Sequence, residues 1–567
     1  MSAIPNRYPE YQTTARLDEL RATEYSYLDS QDHVYLDYTG SGLAASAQIR
    51  HHNERLSQNV YGNPHSSNPT SAAATEAMDR TRARILAHLN ASPDEYTVIF
   101  TANATGAARL VGEAYPFSKH TPLVLTADNH NSVNGIREFA RARGARTSYI
   151  PLQQPSLRTA TSDVLAALPP KRTLLDRLPL TCRGIIRRPD RNPNTIAKTN
   201  PDVKPSTNPP HSHSNTTLSQ GVSPPHSQDR PKTPRGLFAY PAQSNFTGVR
   251  HPLSWIRLAH QRGYHVLLDA AAYLPTSPLD LSSRPSSKSS SCTNPKRDGE
   301  GDGGGEGEEG DCQPDFVIIS WYKLFGFPTG VGCLVARRSA LGLLRANRPW
   351  FAGGTVNAVM VGAGAEWHAL AGGAEGFEDG TGNFLGVPDV AFGLDWLVAG
   401  VGGVEVVGER VRCLTGWFLE RLLGMRHADG KPMVRVYGPT DMVMRGGTVA
   451  FNFLDAQGKV VDERIVAMES AAARISLRTG CFCNPGAGEA AFELNVKSAR
   501  RLTKRGNLSE GLGEFIDALG MPYLGAIRVS FGLASNVTDV DNFFGFAEKT
   551  YKDRVITNLG LPPRIQC

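Results

Sequence analysis

The chain has 567 residues, of which 40% are hydrophobic and 20% charged, so it is typical of a globular protein with a large core and more than one structural domain. No apolar stretch is long enough to span a bilayer and the start lacks the apolar core of a signal peptide, so we expect a cytoplasmic protein without membrane contact. The net charge of +6 does not indicate nucleic-acid binding, because the basic residues between 157 and 235 have no aromatic residues among them to stack on bases. The eight cysteines form no paired CxxC motifs, which favours neither a disulfide framework nor a metal site.

Apolar runs alternate with helical patterns over the first two thirds of the chain. The predicted strands cover residues 97–100, 122–126, 237–241, 266–269, 316–320 and 332–336. Helices are predicted at 104–111 and 132–143. This alternation predicts an α/β domain with a mostly parallel sheet, of the seven-stranded type, sandwiched by helices.

The pattern changes after about residue 397. Predicted helices at 404–423 and 463–473 are mixed with strands at 434–438, 448–453 and 527–531, which indicates a smaller α+β domain. We therefore predict an amino-terminal segment (1–57) packing with the small domain, a large domain (58–397) and the small domain itself (398–567).

Two segments interrupt the large domain. Residues 153–234 are rich in Pro, Ser, Asn and Thr, and residues 282–313 pass from a Ser-rich run into a Gly/Glu-rich one. Such composition buries too little apolar surface to offset the entropy of ordering, so both are predicted to be disordered insertions, with a short helix in the first from residue 161.

Lys323 follows a buried strand and two aromatic residues, and Asp269 ends another strand. Ligands bind at the carboxyl ends of strands in α/β folds, where a desolvated lysine amine can form a Schiff base with a carbonyl cofactor. A lysine alone more often snorkels to the surface. The carboxylate of Asp269 favours a catalytic role for Lys323, because pyridoxal 5'-phosphate needs both an imine-forming lysine and an acid beside its pyridine nitrogen.

Two further turns carry candidate ligands. Thr105 lies at a strand-to-helix turn whose backbone amides could cradle a phosphate, although threonine at a helix start is usually just a cap. His130 follows another strand and could stack on a cofactor ring or move a proton, although an isolated loop histidine is the commoner case.

Several separated motifs together resemble one known family. They are QSNFTG at 243–248, SWYKLFGFPTG at 320–330, FAGGTV at 351–356, FEDGT at 377–381 and RTGCFCNPGA at 478–487. These motifs are similar to the class V branch of the PLP-dependent enzymes of fold type I, and within it to the molybdenum cofactor sulfurases. The resemblance runs from about residue 35 to residue 544, minus the two insertions.

The resemblance implies a role for each matching residue. Lys323 would bind the cofactor and move a proton at the substrate α-carbon, and Asp269 would pair with the pyridine nitrogen. His130 would stack on the ring and Asn245 would contact the cofactor or the substrate. Thr105 and Ser320 would bind the phosphate, Thr355 would reach the phosphate of a neighbouring subunit in a homodimer, and Arg528 would grip the carboxylate of the substrate L-cysteine.

By its place in the family motif, Cys483 is the sulfur acceptor that the resemblance implies, and the reaction needs an accessible thiolate on a mobile loop rich in glycine. The loop at 478–486 supplies one, and Arg478 nearby would favour the thiolate. Cys481 is the runner-up acceptor.

The sequence departs from the family pattern in three ways. Gly488 stands where many sulfurases have a further cysteine. Ala272 stands where simpler desulfurases carry a glutamine. The usual eukaryotic sulfurase continues into a carboxy-terminal domain that holds the molybdenum cofactor, which leaves the final sulfur acceptor open.

The sequence therefore predicts an L-cysteine desulfurase that mobilises sulfur as a persulfide for the molybdenum cofactor or for an acceptor protein carrying it. Three alternatives remain open: a stand-alone cysteine desulfurase, another class V aminotransferase or lyase, and a non-catalytic scaffold.

Overall fold

The computed structural model describes residues 7–170, 234–282, 313–362, 364, 366–494, 525–556 and 561. In chain order the strands are β1 Val34–Tyr35, β2 Tyr96–Thr101, β3 Leu123–Thr126, β4 Thr147–Ile150, β5 Leu237–Pro241, β6 His265–Asp269, β7 Phe316–Ser320, β8 Gly332–Arg337, β9 Val356–Met360, β10 Trp367–Leu370, β11 Val434–Tyr437, β12 Thr448–Phe453, β13 Ile475–Ser476, β14 Arg478–Gly480 and β15 Ala526–Ser530. The α-helices are Arg16–Thr23, Tyr27–Ser30, Ser46–Gln58, Pro69–His88, Ala104–Ala114, Asn131–Asn134, Ile136–Ala142, Thr161–Ala167, Ser254–Gln261, Trp321–Phe325, Arg338–Ala346, Val387–Trp396, Val404–Gly424, Glu463–Ala472, Pro485–Ala491 and Val537–Tyr551.

The large sheet has seven strands in the order β2-β8-β7-β6-β5-β3-β4. All neighbours pair in parallel except β8, which is antiparallel to both β2 and β7. The predicted α/β class and the mostly parallel sheet are thus confirmed. Strands β5, β6 and β7 therefore deliver their carboxyl ends to one edge of the sheet, where folds of this class bind ligands.

Alternate residues of these strands point into two hydrophobic cores, one on each face of the sheet. In β6, Val266 and Leu268 belong to one core and Leu267 to the other, as the period of two along a strand requires. Helices cover both faces, which is why these strands consist of nearly continuous runs of apolar residues.

The small sheet is antiparallel, in the order β11-β12-β15-β14, and the amino-terminal residues complete it. Strand β1 pairs in parallel with β13, and the Ser530 amide of β15 donates to the Leu36 carbonyl at 2.8 Å. These contacts join the amino-terminal residues to β13 and β15.

One predicted boundary needs correction. Residues 153–170, assigned above to the first insertion, are packed, and Thr161–Ala167 is helical. Leu157, Val164 and Leu168 are buried, and the Trp255 indole donates to the Thr161 hydroxyl at 3.0 Å, so burial of apolar side chains and this bond hold the segment. The remaining residues of both predicted insertions, apart from the ends at 234, 282 and 313, lie outside the described residues.

Among the described helices, none alone has the length and apolarity of a membrane span. The helical pair 387–401 and 404–424, bent by 67°, meets that threshold only when its two halves are counted together.

Candidate active site

A cavity of about 420 Å³ opens at the sheet edge where β5, β6 and β7 end. The predicted site residues on its wall are Thr105, His130, Asn245, Asp269, Ser320 and Lys323. Six of the nine predicted site residues are therefore brought together. Residues that the sequence did not single out also line it, among them Ser132, Gln243 and Tyr322.

Lys323 reaches the cavity from a one-turn helix, Trp321–Phe325, that follows β7 directly. Burial lowers the pKa of its amine, and the Asp269 carboxylate opposes that shift. Burial also raises the pKa of Asp269, while an N–H of Ala271 donating at 3.0 Å and the Lys323 charge act in the other direction. The amine and the carboxylate thus interact in a space from which water is excluded. A lysine becomes nucleophilic in such a space because burial favours its neutral form.

His130 is held in one orientation by the turn that begins the helix Asn131–Asn134. Its Nδ1 accepts from the Ser132 amide at 3.1 Å and lies 2.9 Å from the Ser132 hydroxyl. Because Nδ1 accepts, the neutral ring carries its proton on Nε2. Burial, followed by the charges of Lys323 and Arg528, lowers the pKa of His130 to about 4, so the imidazole is uncharged near neutral pH.

The other end of the cavity is suited to an anion. The helix Ala104–Ala114 begins there, capped by Asn103, whose side chain accepts from the Gly106 amide at 2.9 Å. The Thr105 hydroxyl lies 2.7 Å from that of Ser132, and Ser320 adds a third hydroxyl to the wall. Free amides at a helix start together with hydroxyls bind phosphate groups well.

Cys483 does not line this cavity, but its turn is hydrogen-bonded to one residue of the wall and to one residue next to it. The Asn131 amide, next to His130, donates to the Cys483 carbonyl at 2.8 Å. The Asn245 side chain donates to the Phe482 carbonyl at 2.8 Å. Cys483 is partly buried and carries a free thiol, whereas Cys481 is disulfide-bonded.

Arg528 lies behind Asn245, also outside the cavity wall. One Nη donates to the Asn245 carbonyl at 3.0 Å and the other to Asp37 at 2.8 Å, while the buried Nε has no hydrogen-bond partner among the described residues. Asp37 also accepts two bonds from Arg478, at 2.7 and 2.9 Å. The guanidinium of Arg478 is therefore paired with a carboxylate that the sequence did not point to, and the expectation that it serves the Cys483 thiol has no contact to support it.

Thr355 lies apart from the cavity, at the base of the β9–β10 hairpin. It is fully buried, and its hydroxyl donates to the Ala352 carbonyl at 2.7 Å and accepts from the Ala352 amide at 2.9 Å. Within one chain it does not reach the other site residues.

The family model described as aminotransferase class-V matches residues 34–176 and 310–543. The bovine molybdenum cofactor sulfurase is 33% identical over 549 residues, which cover 94% of this chain and 51% of the relative. The tomato molybdenum cofactor sulfurase is 30% identical over 564 residues, covering 97% and 59%. The chain thus spans about half the length of the curated relatives it matches.

Two solved structures support the fold. An apo cysteine desulfurase from Thermococcus onnurineus superposes with a TM-score of 0.62 at 17% identity, covering 94% of this chain and 97% of that one. The cysteine desulfurase CsdA from Escherichia coli gives a TM-score of 0.60 at 19% identity, covering 94% and 98%.

Proposed function

Because the chain belongs to the aminotransferase class-V family, we propose that it is a pyridoxal 5'-phosphate-dependent L-cysteine desulfurase of the molybdenum cofactor sulfurase type. The observation that carries the proposal is the cavity that unites Lys323, Asp269 and His130 with a helix start suited to a phosphate. Molybdenum cofactor sulfurases are also the curated relatives that match nearly the whole chain.

The donor set of the cavity fits this cofactor. Lys323 would hold it covalently, and the Asp269 carboxylate would stabilise a proton on its ring nitrogen. His130 would stack on the ring, while Thr105 and Ser320 would bind the phosphate beside the free amides of the helix start. When bound, pyridoxal phosphate supplies an electron sink for charge that develops on the substrate α-carbon.

The substrate side is built from Asn245 and Arg528. No described residue accepts a hydrogen bond from the buried Nε of Arg528, which supports a role in binding the carboxylate of an amino acid. With the substrate so placed, the Lys323 amine would take the α-proton, and its lowered pKa suits a group that must accept a proton near neutral pH.

Cys483 would take the sulfur. Its thiolate attacks the substrate sulfur, the carbon–sulfur bond breaks, and protons returned to the carbon skeleton complete alanine. The balanced result is L-cysteine plus the Cys483 thiol giving L-alanine plus a Cys483 persulfide. We propose that this persulfide then supplies the molybdenum cofactor, or an acceptor protein carrying it, in the cytosol.

Sulfide release from L-cysteine in the presence of a reductant tests the proposal. Cys483→Ala is expected to lower the rate at least a hundredfold while the visible absorbance of the bound cofactor stays, and Lys323→Ala is expected to abolish that absorbance. Cys413→Ala, which removes a free thiol outside the cavity, is the matched control. Cys481→Ala tests the runner-up acceptor.

Turnover that survives Cys483→Ala would contradict Cys483 as the acceptor, and turnover that survives Cys483→Ala and Cys481→Ala together would contradict the desulfurase. If the cofactor also stays bound, the chain would be another class V enzyme, such as an aminotransferase or a lyase. Absence of the visible band in the unsubstituted protein would instead favour a non-catalytic scaffold. Persulfide that forms but does not sulfurate a molybdenum-cofactor acceptor protein would favour a stand-alone desulfurase.

We also propose that the protein is a homodimer. Thr355 forms the base of a hairpin whose exposed hydrophobic residues are Val359, Met360, Val361 and Trp367. Apolar side chains grouped on a projecting hairpin favour a protein partner. A second copy seated there would bring Thr355 towards the partner's cavity, in agreement with the role that the family resemblance implies.

A further inference from the structure

The turn that carries Cys483 has a backbone shape that must be held in place. Phe482 and Cys483 both have positive φ, at 56° and 53°, in the left-handed region that non-glycine residues rarely adopt. Such a turn persists only where surrounding contacts fix it. The described contacts therefore favour a fixed turn rather than the mobile loop that was expected from the sequence.

Asn484 supplies the central contacts. Its side chain is fully buried, and its Nδ2 donates to the Asp128 carbonyl at 2.7 Å and to the Asn245 Oδ1 at 2.9 Å. Its Oδ1 accepts from the Ala487 amide at 3.2 Å, capping the helix Pro485–Ala491. Both donors and the acceptor of this amide are thus in use.

These bonds tie the thiol turn to two of the segments that contribute to the cavity wall, 128–131 through His130 and 243–245 through Asn245. Asn245 returns a bond to the Phe482 carbonyl at 2.8 Å, so the two asparagines hold the turn from both sides. The Asn131 amide binds the Cys483 carbonyl at 2.8 Å. The loop 128–131 is itself fixed from behind, because Asp128 pairs with the buried His251 at 2.8 Å.

We propose that Asn484 is a positioning residue that fixes the Cys483 turn where the thiol can reach an amino acid bound in the cavity. The proposal rests on the proposed role of Cys483 as sulfur acceptor. Displacing a reacting group by about 1 Å costs on the order of a hundredfold in rate, so a residue that fixes this turn controls sulfur transfer without touching the substrate.

Asn484→Ser separates positioning from helix capping. Serine still offers an oxygen that caps the helix, but it is too short to bridge Asp128 and Asn245. We expect the melting temperature to stay within a few degrees, kcat for sulfide release to fall about tenfold or more, and KM for L-cysteine to change less than threefold. Alkylation of Cys483 by iodoacetamide, followed by peptide mapping in the holoenzyme, should become at least fivefold faster as the turn is released.

Gly488→Ala is the matched control. It alters the same helix, and its added methyl group would meet only ordinary contacts at 3.8 and 4.0 Å, so kcat and alkylation should keep their unsubstituted values. An Asn484→Ser protein with a lowered melting temperature but unchanged alkylation and kcat would show a merely structural role and overturn the proposal.

Hydrogen exchange of the unsubstituted holoenzyme tests the proposal if Asn484→Ser fails to fold. The Asn131 amide, which donates to the Cys483 carbonyl, and the Ala487 amide, which donates to the Asn484 Oδ1, should exchange slowly. Exchange as fast as at an exposed loop would overturn it. Alkylation and exchange do not depend on turnover, so failure of this proposal is distinguishable from survival of activity in Cys483→Ala, which would instead contradict the proposed role of Cys483 as sulfur acceptor.

Discussion

His130 makes the stability of the protein depend on pH. Burial lowers its folded-state pKa to about 4, below the value of about 6.5 for an unfolded histidine. Between those pH values the unfolded chain binds a proton that the folded chain does not. Stability contributed by the neutral ring is therefore lost as the pH falls from 6.5 to 4, by up to about 3 kcal/mol.

We expect His130→Gln to flatten this part of the pH profile. The measurement is urea unfolding of cofactor-free protein at intervals from pH 4 to pH 7, with the exposed His120→Gln as the control. An unchanged slope in His130→Gln would show that this imidazole titrates in the folded state much as in the unfolded one.

The sequence predicted the site residues that lie at the ends of strands. It did not predict the residues whose position depends on partners far away along the chain. Lys323 and Asp269 follow apolar runs, so their meeting at the sheet edge could be predicted. The role of Asp37 could not be predicted, because it depends on hydrogen bonds with Arg478 and Arg528, which lie more than 400 residues away along the chain. Likewise, an asparagine before proline such as Asn484 predicts only a helix cap. Its hydrogen bonds to Asp128 and Asn245 are visible only in the folded structure.

Among the elements, the helix Trp321–Phe325 ends at a glycine that no other residue could replace without strain. Gly326 ends it with a φ of 75°, and a Cβ there would lie 2.3 Å from backbone atoms of Leu43 and Ala44. The close approach lets the helix that carries Lys323 pack directly against the amino-terminal segment.

Gly326→Ala is expected to cost at least about 2 kcal/mol of unfolding free energy, through left-handed strain and the backbone collision. Cofactor affinity should fall with it, because Lys323 is only three residues away. Gly342→Ala is the control: its added methyl group meets no atom within 4 Å in the helix Arg338–Ala346, so it should stabilise by about 0.5–1 kcal/mol. Equal effects of the two changes on denaturant unfolding would refute the argument.

Element prediction succeeded where hydrophobic period and length agreed, as for β5 and β7, whose predicted bounds match the structure. It failed for the β9–β10 hairpin, whose strands have largely exposed side chains and so lack the alternating burial that marks a half-buried strand. The short helix predicted from residue 161 is confirmed as Thr161–Ala167, whereas the order of the residues around it, within 153–170, was not predicted.

For the molecule as a whole, the exposed β9–β10 hairpin predicts a dimer. Charged residues introduced on the hairpin should dissociate it. Trp367→Glu combined with Met360→Glu is expected to convert a species with the mass of two chains into one with the mass of one, measured by light scattering after gel filtration. Met468→Glu replaces an exposed apolar residue on the helix Glu463–Ala472 and should leave the mass unchanged. A single-chain mass before substitution would contradict the dimer.

Arg410, which is fully buried in the helix Val404–Gly424, binds the amino-terminal residues. It donates to the Thr14 hydroxyl and carbonyl at 2.7 Å and to both Asp18 oxygens at 2.7 and 2.8 Å. Arg410→Ala leaves these acceptors unpaired and should lower the unfolding free energy by about 2 kcal/mol.

Arg412→Ala is the control for Arg410→Ala, since Arg412 is largely exposed on the same helix. It should cost about 0.5 kcal/mol or less. Urea unfolding monitored by tryptophan fluorescence compares the two, and a similar loss for both would show that burial of Arg410 adds nothing.

Strand β15 binds Leu36 across a separation of 494 residues, and β1 binds β13 in the same region. A ribosome releases the first partner of each pair long before the second exists. The segment around β1 must therefore stay available, unpaired and open to proteases or chaperones, through most of translation. Deleting the amino-terminal residues through Leu36 would remove the strand that pairs with β13 and the carbonyl that bonds to β15, even though every residue from β11 onwards is still present.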